Sequence, residues 1–149
     1  MRQLTYQNVI QHLLDAVPET SGIYQDHLKW YELDPQDPEL PRHPLFAQLA
    51  HLAIRLCMNP EQFENGEEIL DRLFTFIEEA ANSADNEVVN LVRVTFLDIL
   101  SRYDNPCFEP LVDKMGHRTQ ERLREIIIFF HQTLERYEKE TGRTIPRGE

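Results

Sequence analysis

Apolar residues recur at intervals of three and four positions along most of the chain, which is the spacing of one face of an α-helix. The segments 45–56 and 69–80 show this pattern most regularly. Prolines, Asn-Pro pairs and glycines separate the periodic segments, and these residues are typical of helix ends. The pattern predicts an all-α protein, a bundle of six or seven helices. We expect these helices at about 4–17, 23–33, 44–58, 66–81, 88–100, 110–115 and 119–141.

The segment 88–100 differs from the others because it is apolar on nearly all sides. A helix of this kind is surrounded by other helices, so we expect it at the centre of the bundle. Its valines would also suit a buried strand, but strands are usually about 5–6 residues long. The length of the segment therefore favours a buried central helix.

The run Ile126–Phe130 is also strand-like in composition. Charged residues four positions apart follow this run, and such pairs support a helix. They are Glu135 with Lys139 and Arg136 with Glu140. The pairs favour a single helix over 119–141, ending at Gly142.

Four prolines between Pro35 and Pro44 interrupt the helical pattern. No helix interior tolerates that density of proline, so we expect an extended surface connection there. The chain has no internal repeat and no linker that would separate two domains. With 149 residues and 17.7 kDa, it is expected to form one domain over 1–149.

The start of the chain lacks the basic segment and apolar run of a secretion signal. The longest apolar run, Ile126–Phe130, is far shorter than a membrane span. Cys57 and Cys107 lie far apart in the sequence, which favours reduced, mostly buried thiols. These features predict a cytoplasmic protein.

Acidic residues are concentrated in the first part of the chain. The whole sequence has 26 acids and 15 bases, a net charge of -11. Residues 1–91 contain 16 acids and 5 bases, whereas residues 92–149 contain 10 of each. Such a charge repels phosphate backbones and anionic lipids, so neither nucleic acid nor membrane is expected as a ligand.

Between Glu61 and Glu87 the chain has nine acids and one base, Arg72. On a helical projection the acids of this segment lie away from the apolar stripe. One interpretation is a solvated face that keeps the protein soluble, and the other is a docking surface for a basic protein. The candidate partner-binding residues are Glu64, Glu67, Glu68, Asp71, Glu78, Glu79, Asp85 and Glu87.

A second candidate contact region is aromatic. Tyr24, Trp30 and Tyr31 precede an acidic loop that contains Asp34, Asp37 and Glu39. Tryptophan and tyrosine are frequent anchors of protein interfaces. We nevertheless expect Trp30 to cover the core of the bundle.

Motifs of catalysis and metal binding are missing from the sequence, which has no HExxH, GxSxG or Gly-rich phosphate loop. His43 with His51, and His131 with Glu135, have helical spacing but no further ligands. Cys107 and His117 would need a special geometry to act as a nucleophile and its base. We therefore expect no catalytic residue, no cofactor and no metal, while an enzyme with an unrecognised site stays the third alternative below.

The second half of the chain resembles a known family. The segments Asp85–Leu100 and Leu111–Thr119, followed by the long Ile/Phe-rich helix, carry the resemblance through core residues together with Asn90 and Met115-Gly116. The family consists of small, acidic, helical bacterial proteins, is known as a domain of unknown function, and is loosely associated with immunity proteins against toxins of contact-dependent growth inhibition. The similarity covers about 63–130 and implies no catalytic residues.

Charge and resemblance together lead to three hypotheses. The first is a non-catalytic immunity protein that inhibits a basic, nuclease-like toxin domain by binding it through the acidic surface. The second is a helical adaptor or regulatory module for another cytosolic protein, in which the acids serve mainly solubility. The third is an enzyme whose site the sequence does not reveal.

Overall fold

The computed structural model describes residues 3–34, 41–102 and 104–148, and within these ranges the regular structure is helical throughout. The all-α prediction is confirmed. Two short 3-10 turns, Pro18–Thr20 and Pro60–Gln62, precede α2 and α4. The eight helices of the described residues are α1 Val9–Ala16, α2 Ser21–Trp30, α3 His43–Met58, α4 Gly66–Ala81, α5 86–100, α6 Phe108–Lys114, α7 His117–His131 and α8 Leu134–Thr141. Most of the proline-rich connection, 35–40, lies outside the described residues.

Helix α5 is the buried centre that the sequence predicts. It packs against α3, α4 and α7, and Phe96 at its middle is fully buried against Phe74 of α4. The turns over Leu91–Leu97 are π-helical and are flanked by α-helical turns on both sides. Val94 is the one apolar residue of the π-helical turns that is strongly exposed.

The helix predicted over 119–141 is divided into α7 and α8, so the structure has one helix more than the largest predicted number. Gln132 breaks it with a φ of 74°. Thr133 then caps α8, because its hydroxyl accepts a hydrogen bond from the Arg136 amide at 3.0 Å. Of the two predicted charged pairs, Arg136–Glu140 forms at 3.0 Å, whereas Glu135 lies 3.6 Å from Arg147.

The chain after α8 returns to the bundle. Ile145 is buried, and Arg143 donates hydrogen bonds to the carbonyls of Ser101, Arg102 and Asn105 at 2.8–2.9 Å. These contacts fix the end of the described chain to the end of α5 and the loop that follows it.

Helix α4 lies at the surface between two flanking elements. On one side the first residues of the chain run antiparallel to it, because Ser83 bonds the Leu4 carbonyl and Arg72 pairs with Glu19. On the other side the end of α6 and the start of α7 contact α4 through Lys114 and Thr119. No helix in the described part of the chain is long and apolar enough to span a membrane.

Candidate functional site: the acidic ridge of α4

The outward face of α4 carries most of the predicted site. Its inward face is a continuous apolar stripe, in which Leu73, Phe76 and Ile77 are fully buried. The charged residues of this helix must therefore face outward or sideways. We call the eight predicted carboxylates the acidic ridge: Glu64, Glu67, Glu68, Asp71, Glu78, Glu79, Asp85 and Glu87.

Glu78 performs a structural task within the ridge. Its carboxylate accepts hydrogen bonds from the amides of Arg118 and Thr119 at 2.9 Å each, and from the Thr119 hydroxyl at 2.8 Å. It thereby caps the N-terminus of α7, where a negative charge is favourable. Gly116 makes room for this contact, because a Cβ at that position would lie 2.5 Å from the Glu78 carboxyl carbon.

Asp85 caps a second helix. One carboxylate oxygen accepts the Glu87 amide at 3.0 Å and so caps the start of α5. The other oxygen accepts the Tyr6 amide at 2.9 Å and ties the first residues of the chain to this corner. Asp85, like Glu78, is half-buried and engaged in hydrogen bonds within the molecule.

Two cations compensate the middle of the ridge. Lys114 of α6 contacts Glu67 and lies 2.6 Å from Asp71, and hydrogen bonds to Asp71 and then Glu67 raise the pKa of Lys114. Arg72 lies 3.8 Å from Glu68 and forms a two-pronged pair with Glu19 at 2.5 and 2.8 Å. The hydrogen bond from Arg72 lowers the pKa of Glu19. Lys114 comes from the second half of the chain, and no pattern in the sequence indicates this contact.

The remaining ridge carboxylates are Glu64, Glu79 and Glu87. All three are exposed, and their side chains form no ion pair or hydrogen bond with any residue that the structure describes. Glu64 precedes α4 and Glu79 lies in its last turns, so these charges are about 20 Å apart along the helix. We call them the unpaired acids. The structure thus divides the predicted site into five engaged and three unpaired carboxylates.

The aromatic region differs from the prediction. Trp30 does not cover the core, because 82% of its surface is exposed, and Tyr31 is 46% exposed. Tyr24 is the aromatic residue of this group that packs into the core. Helix α2 ends at Trp30, and the buried residues of its last turn are His27 and Leu28. Asp37 and Glu39 of the predicted acidic loop lie outside the described residues.

The histidine and cysteine candidates have other partners than those considered from sequence. His43 lies 2.5 Å from the Thr95 hydroxyl, and burial lowers its pKa. His131 lies 3.3 Å from Glu140 rather than beside Glu135. Burial and the neighbouring thiol of Cys107 raise the pKa of Cys57. Among the side chains that the structure describes, no group of His, Cys, Asp or Glu could hold a metal ion.

A further exposed feature escaped the sequence-based prediction. The last turn of α7 exposes Ile128, Phe129 and Phe130, with Phe129 78% and Phe130 58% exposed. Their position in an apolar run suggested burial. The break at Gln132, which the helical pattern did not indicate, ends α7 immediately beyond them.

Comparison with known proteins provides a family but no function. No curated protein and no solved structure matched the chain. One family model matches a much longer part of the chain than the segment on which the sequence resemblance was based, and it includes α2, α3 and the whole ridge. The chain belongs to the family described as Domain of unknown function (DUF7674), whose model matches residues 10–132.

Proposed function

We propose that this protein is a non-catalytic binding protein that recognises a basic protein through the acidic ridge, as an immunity-type inhibitor of a toxin domain. The observation that supports this proposal is that three acids of the ridge, Glu64, Glu79 and Glu87, have no partner in the described chain, whereas the other five are already engaged. Compensation by Arg72 and Lys114 leaves the ridge strongly negative. A basic surface would supply the missing partners.

The engaged carboxylates contribute to binding indirectly. Glu78 and Asp85 hold α7, α5 and the first residues of the chain against α4. The ridge is therefore a rigid surface on packed helices, and a rigid surface loses little entropy when it binds. The unpaired acids attract a partner, and the engaged ones keep these acids in position.

Charge on such a surface acts mainly on the rate of association. Long-range attraction steers a basic partner toward the ridge and raises the association rate, and salt weakens this effect because the Debye length is about 8 Å at 0.15 M. If the partner is a nuclease, the surface that it offers is the basic patch that would bind its phosphate substrate. Covering this patch would inhibit the toxin without any chemical step.

The experiment compares two charge-reversed proteins with the wild type. The ridge variant carries Glu64→Lys, Glu79→Lys and Glu87→Lys. The control variant carries Asp104→Lys, Glu109→Lys and Glu135→Lys, three exposed acids near α6 and α8. Both variants change the net charge equally, so any difference between them comes from position.

Each full-length protein is used to capture partners from the cells in which it is made, and captured proteins are identified and purified. We expect a basic partner that the ridge variant binds about tenfold more slowly, with the control variant within about twofold of the wild type. A toxic activity of that partner, blocked by the wild-type protein, supports the immunity role. Equal association by the two variants would refute the ridge, and a harmless partner would point to the adaptor role instead.

A further inference from the structure

Helices α2 and α3 line an open cleft of about 820 Å³. Its lining residues all precede the acidic ridge in the sequence. Its walls combine apolar, aromatic and charged residues, as ligand clefts of this size commonly do. The residues that matter most are Asp26, Lys29, Trp30 and Tyr31 of the α2 side and Gln48 and Arg55 of α3.

The aromatic wall of the cleft is unusually exposed. Trp30 is the only tryptophan of the chain, and it keeps 82% of its surface accessible. Tyr31 next to it is about half exposed. An exposed indole of this kind offers a large apolar surface to a partner, and Trp, Tyr and Arg are the residue types most enriched at the energetic centres of interfaces. All three types line this cleft.

The cleft is also locally cationic, although the chain as a whole is acidic. Lys29 and Arg55 are exposed, and neither forms an ion pair with a carboxylate in the described ranges. The other described arginines of the first half are engaged: Arg72 binds Glu19, and Arg42 is buried over the Tyr6 ring. Asp26 is the one acid among the lining residues. In a chain of net charge -11, this is a small cationic site.

We propose that this cleft binds an acidic peptide segment of a partner protein, with an apolar side chain of the segment on Trp30 and Tyr31 and its carboxylates paired with Lys29 and Arg55. Charge complementarity selects carboxylates, because both unpaired cations face the same cleft as the aromatic wall. Arginine and lysine bind carboxylates through charge-assisted hydrogen bonds, which are stronger than neutral ones. At physiological salt, charges more than about 8 Å away are largely screened, so the charged residues that line the cleft dominate its interaction with a ligand.

A peptide fits these features better than a nucleotide. The cleft is open to solvent rather than enclosed, so an extended chain can enter it, whereas many nucleotide sites hold the phosphates in a glycine-rich loop that this sequence lacks. The site is independent of the ridge, since it uses other residues and the opposite charge. The result of testing this cleft therefore does not bear on the proposed function.

The single tryptophan makes the binding experiment direct. The full-length protein is titrated with the peptide acetyl-Glu-Leu-Glu-Phe-Glu-amide while the fluorescence of Trp30 is recorded. Matched peptides carry Lys or Gln in place of Glu, and ADP serves as the nucleotide probe. We expect saturable binding of the Glu peptide that is about tenfold tighter than that of the Gln peptide, with weaker binding still for the Lys peptide and ADP.

Two variants test the assignment of the cations. Lys29→Ala combined with Arg55→Ala should weaken binding of the Glu peptide about tenfold or more. Lys139→Ala removes a cation that is exposed on α8 and should leave binding within about twofold of the wild type. The ridge variant described above should also bind the Glu peptide normally, which separates this site from the proposed function.

Several results would overturn the proposal. Tighter binding of the Lys peptide would make the cleft part of a surface for basic partners. Tighter binding of ADP would assign the cleft to a nucleotide. Undiminished binding of the Glu peptide to the double variant, or no saturable binding to the wild type, would remove the acidic-peptide site.

Discussion

Glu78 and Glu79 are consecutive residues of the same type on one helix, and they do different work. Glu78 accepts three hydrogen bonds from α7, while Glu79 is exposed and has no partner among the described residues. A helical projection places both outside the apolar stripe. The projection does not show that α7 contacts Glu78. The sequence could therefore locate the ridge, but it could not separate the engaged carboxylates from the unpaired ones.

This difference gives a matched pair of substitutions. Glu78→Ala should lower the free energy of unfolding by about 2–3 kcal/mol, because the amides at the start of α7 lose a charged acceptor. Glu79→Ala should change it by less than about 0.5 kcal/mol. Urea unfolding of both variants measures the difference, and equal effects of the two would show that the cap contributes nothing.

Cys57 provides a second prediction at the scale of one residue. Burial and the adjacent Cys107 thiol raise its pKa to about 12. Since only the thiolate reacts readily, iodoacetamide at pH 8 should alkylate the native protein more than about tenfold more slowly than the urea-unfolded protein. Raising the pH from about 9 toward 12 should lower stability, because the unfolded thiol ionises first. Rapid labelling of the native protein at pH 8 would contradict this.

At the scale of whole elements, the apolar periodicity predicted the helices well wherever a strong break marked their ends. Pro18, Asn59-Pro60 and Asn105-Pro106 all separate observed helices. The division of α7 from α8 had no such mark, because neither Gln132 nor Thr133 breaks a helix as strongly as proline or glycine does. The sequence did not indicate the π-helical turns of Leu91–Leu97 either, since a segment that is apolar on nearly all sides has too narrow a polar face for its period to be measured.

Gln132 adopts a φ of 74° and a ψ of -39°, a backbone conformation that costs energy for any residue with a Cβ. Gln132→Gly should therefore stabilise the protein by about 0.5–1 kcal/mol, although it loses the side-chain contact with Arg136. The same substitution at Gln25, in the interior of α2, should destabilise it by about 1 kcal/mol. Thermal unfolding measures both. Destabilisation at both positions would mean that the contact of the Gln132 side chain with Arg136 stabilises the protein by more than the backbone strain at Gln132 destabilises it.

At the scale of the whole molecule, the family match ends at residue 132, yet the described chain beyond it completes the core. Tyr137 and Ile145 are buried there. Arg143 packs over the Phe108 ring at 4.5 Å, and one of its nitrogens lies 2.8 Å from both the Ser101 carbonyl and the Tyr137 hydroxyl. The residues that follow α8 in the described chain, 142–148, which we call the terminal segment, thus hold α5, α6 and α8 together.

Arg143→Ala should accordingly lower the free energy of unfolding by about 2–3 kcal/mol, because several backbone carbonyls lose a charged donor at once. Arg136→Ala, an arginine of the same region that is exposed and pairs only at the surface with Glu140 and Gln132, should cost less than about 1 kcal/mol. Chemical denaturation compares the two. Similar losses would mean that the terminal segment is held by Ile145 burial rather than by Arg143.

The net charge of the whole molecule could be predicted from the sequence, but the ion pairs that compensate its acids could not. Lys114 moderates the ridge through tertiary contacts with acids more than forty positions away. Arg72 lies one helical turn from Glu68, but its closest partner, Glu19, comes from the first residues of the chain. Lys29 and Arg55, which pair with no carboxylate in the described ranges, are twenty-six positions apart and line one cleft only because α2 packs on α3. Periodicity identifies the faces of helices, whereas partners between helices depend on how the helices pack.

The terminal segment also makes stability depend on acid pH. The hydrogen bond from Arg147, and then that from the Ile145 amide, lower the pKa of Glu138 below its usual value. A carboxylate of this kind stabilises the fold above its unfolded pKa, and the contribution is lost as the pH falls through the lowered pKa. Glu138→Gln should therefore be less stable than the wild type at pH 7, and the difference should shrink below about pH 4.5. Glu109→Gln, at an exposed residue with no ion pair in the described chain, should follow the wild-type curve. Thermal unfolding from pH 7 to pH 3 tests this, and a constant difference between Glu138→Gln and the wild type would show that the contacts of residue 138 with Ile145 and Arg147 do not depend on its charge.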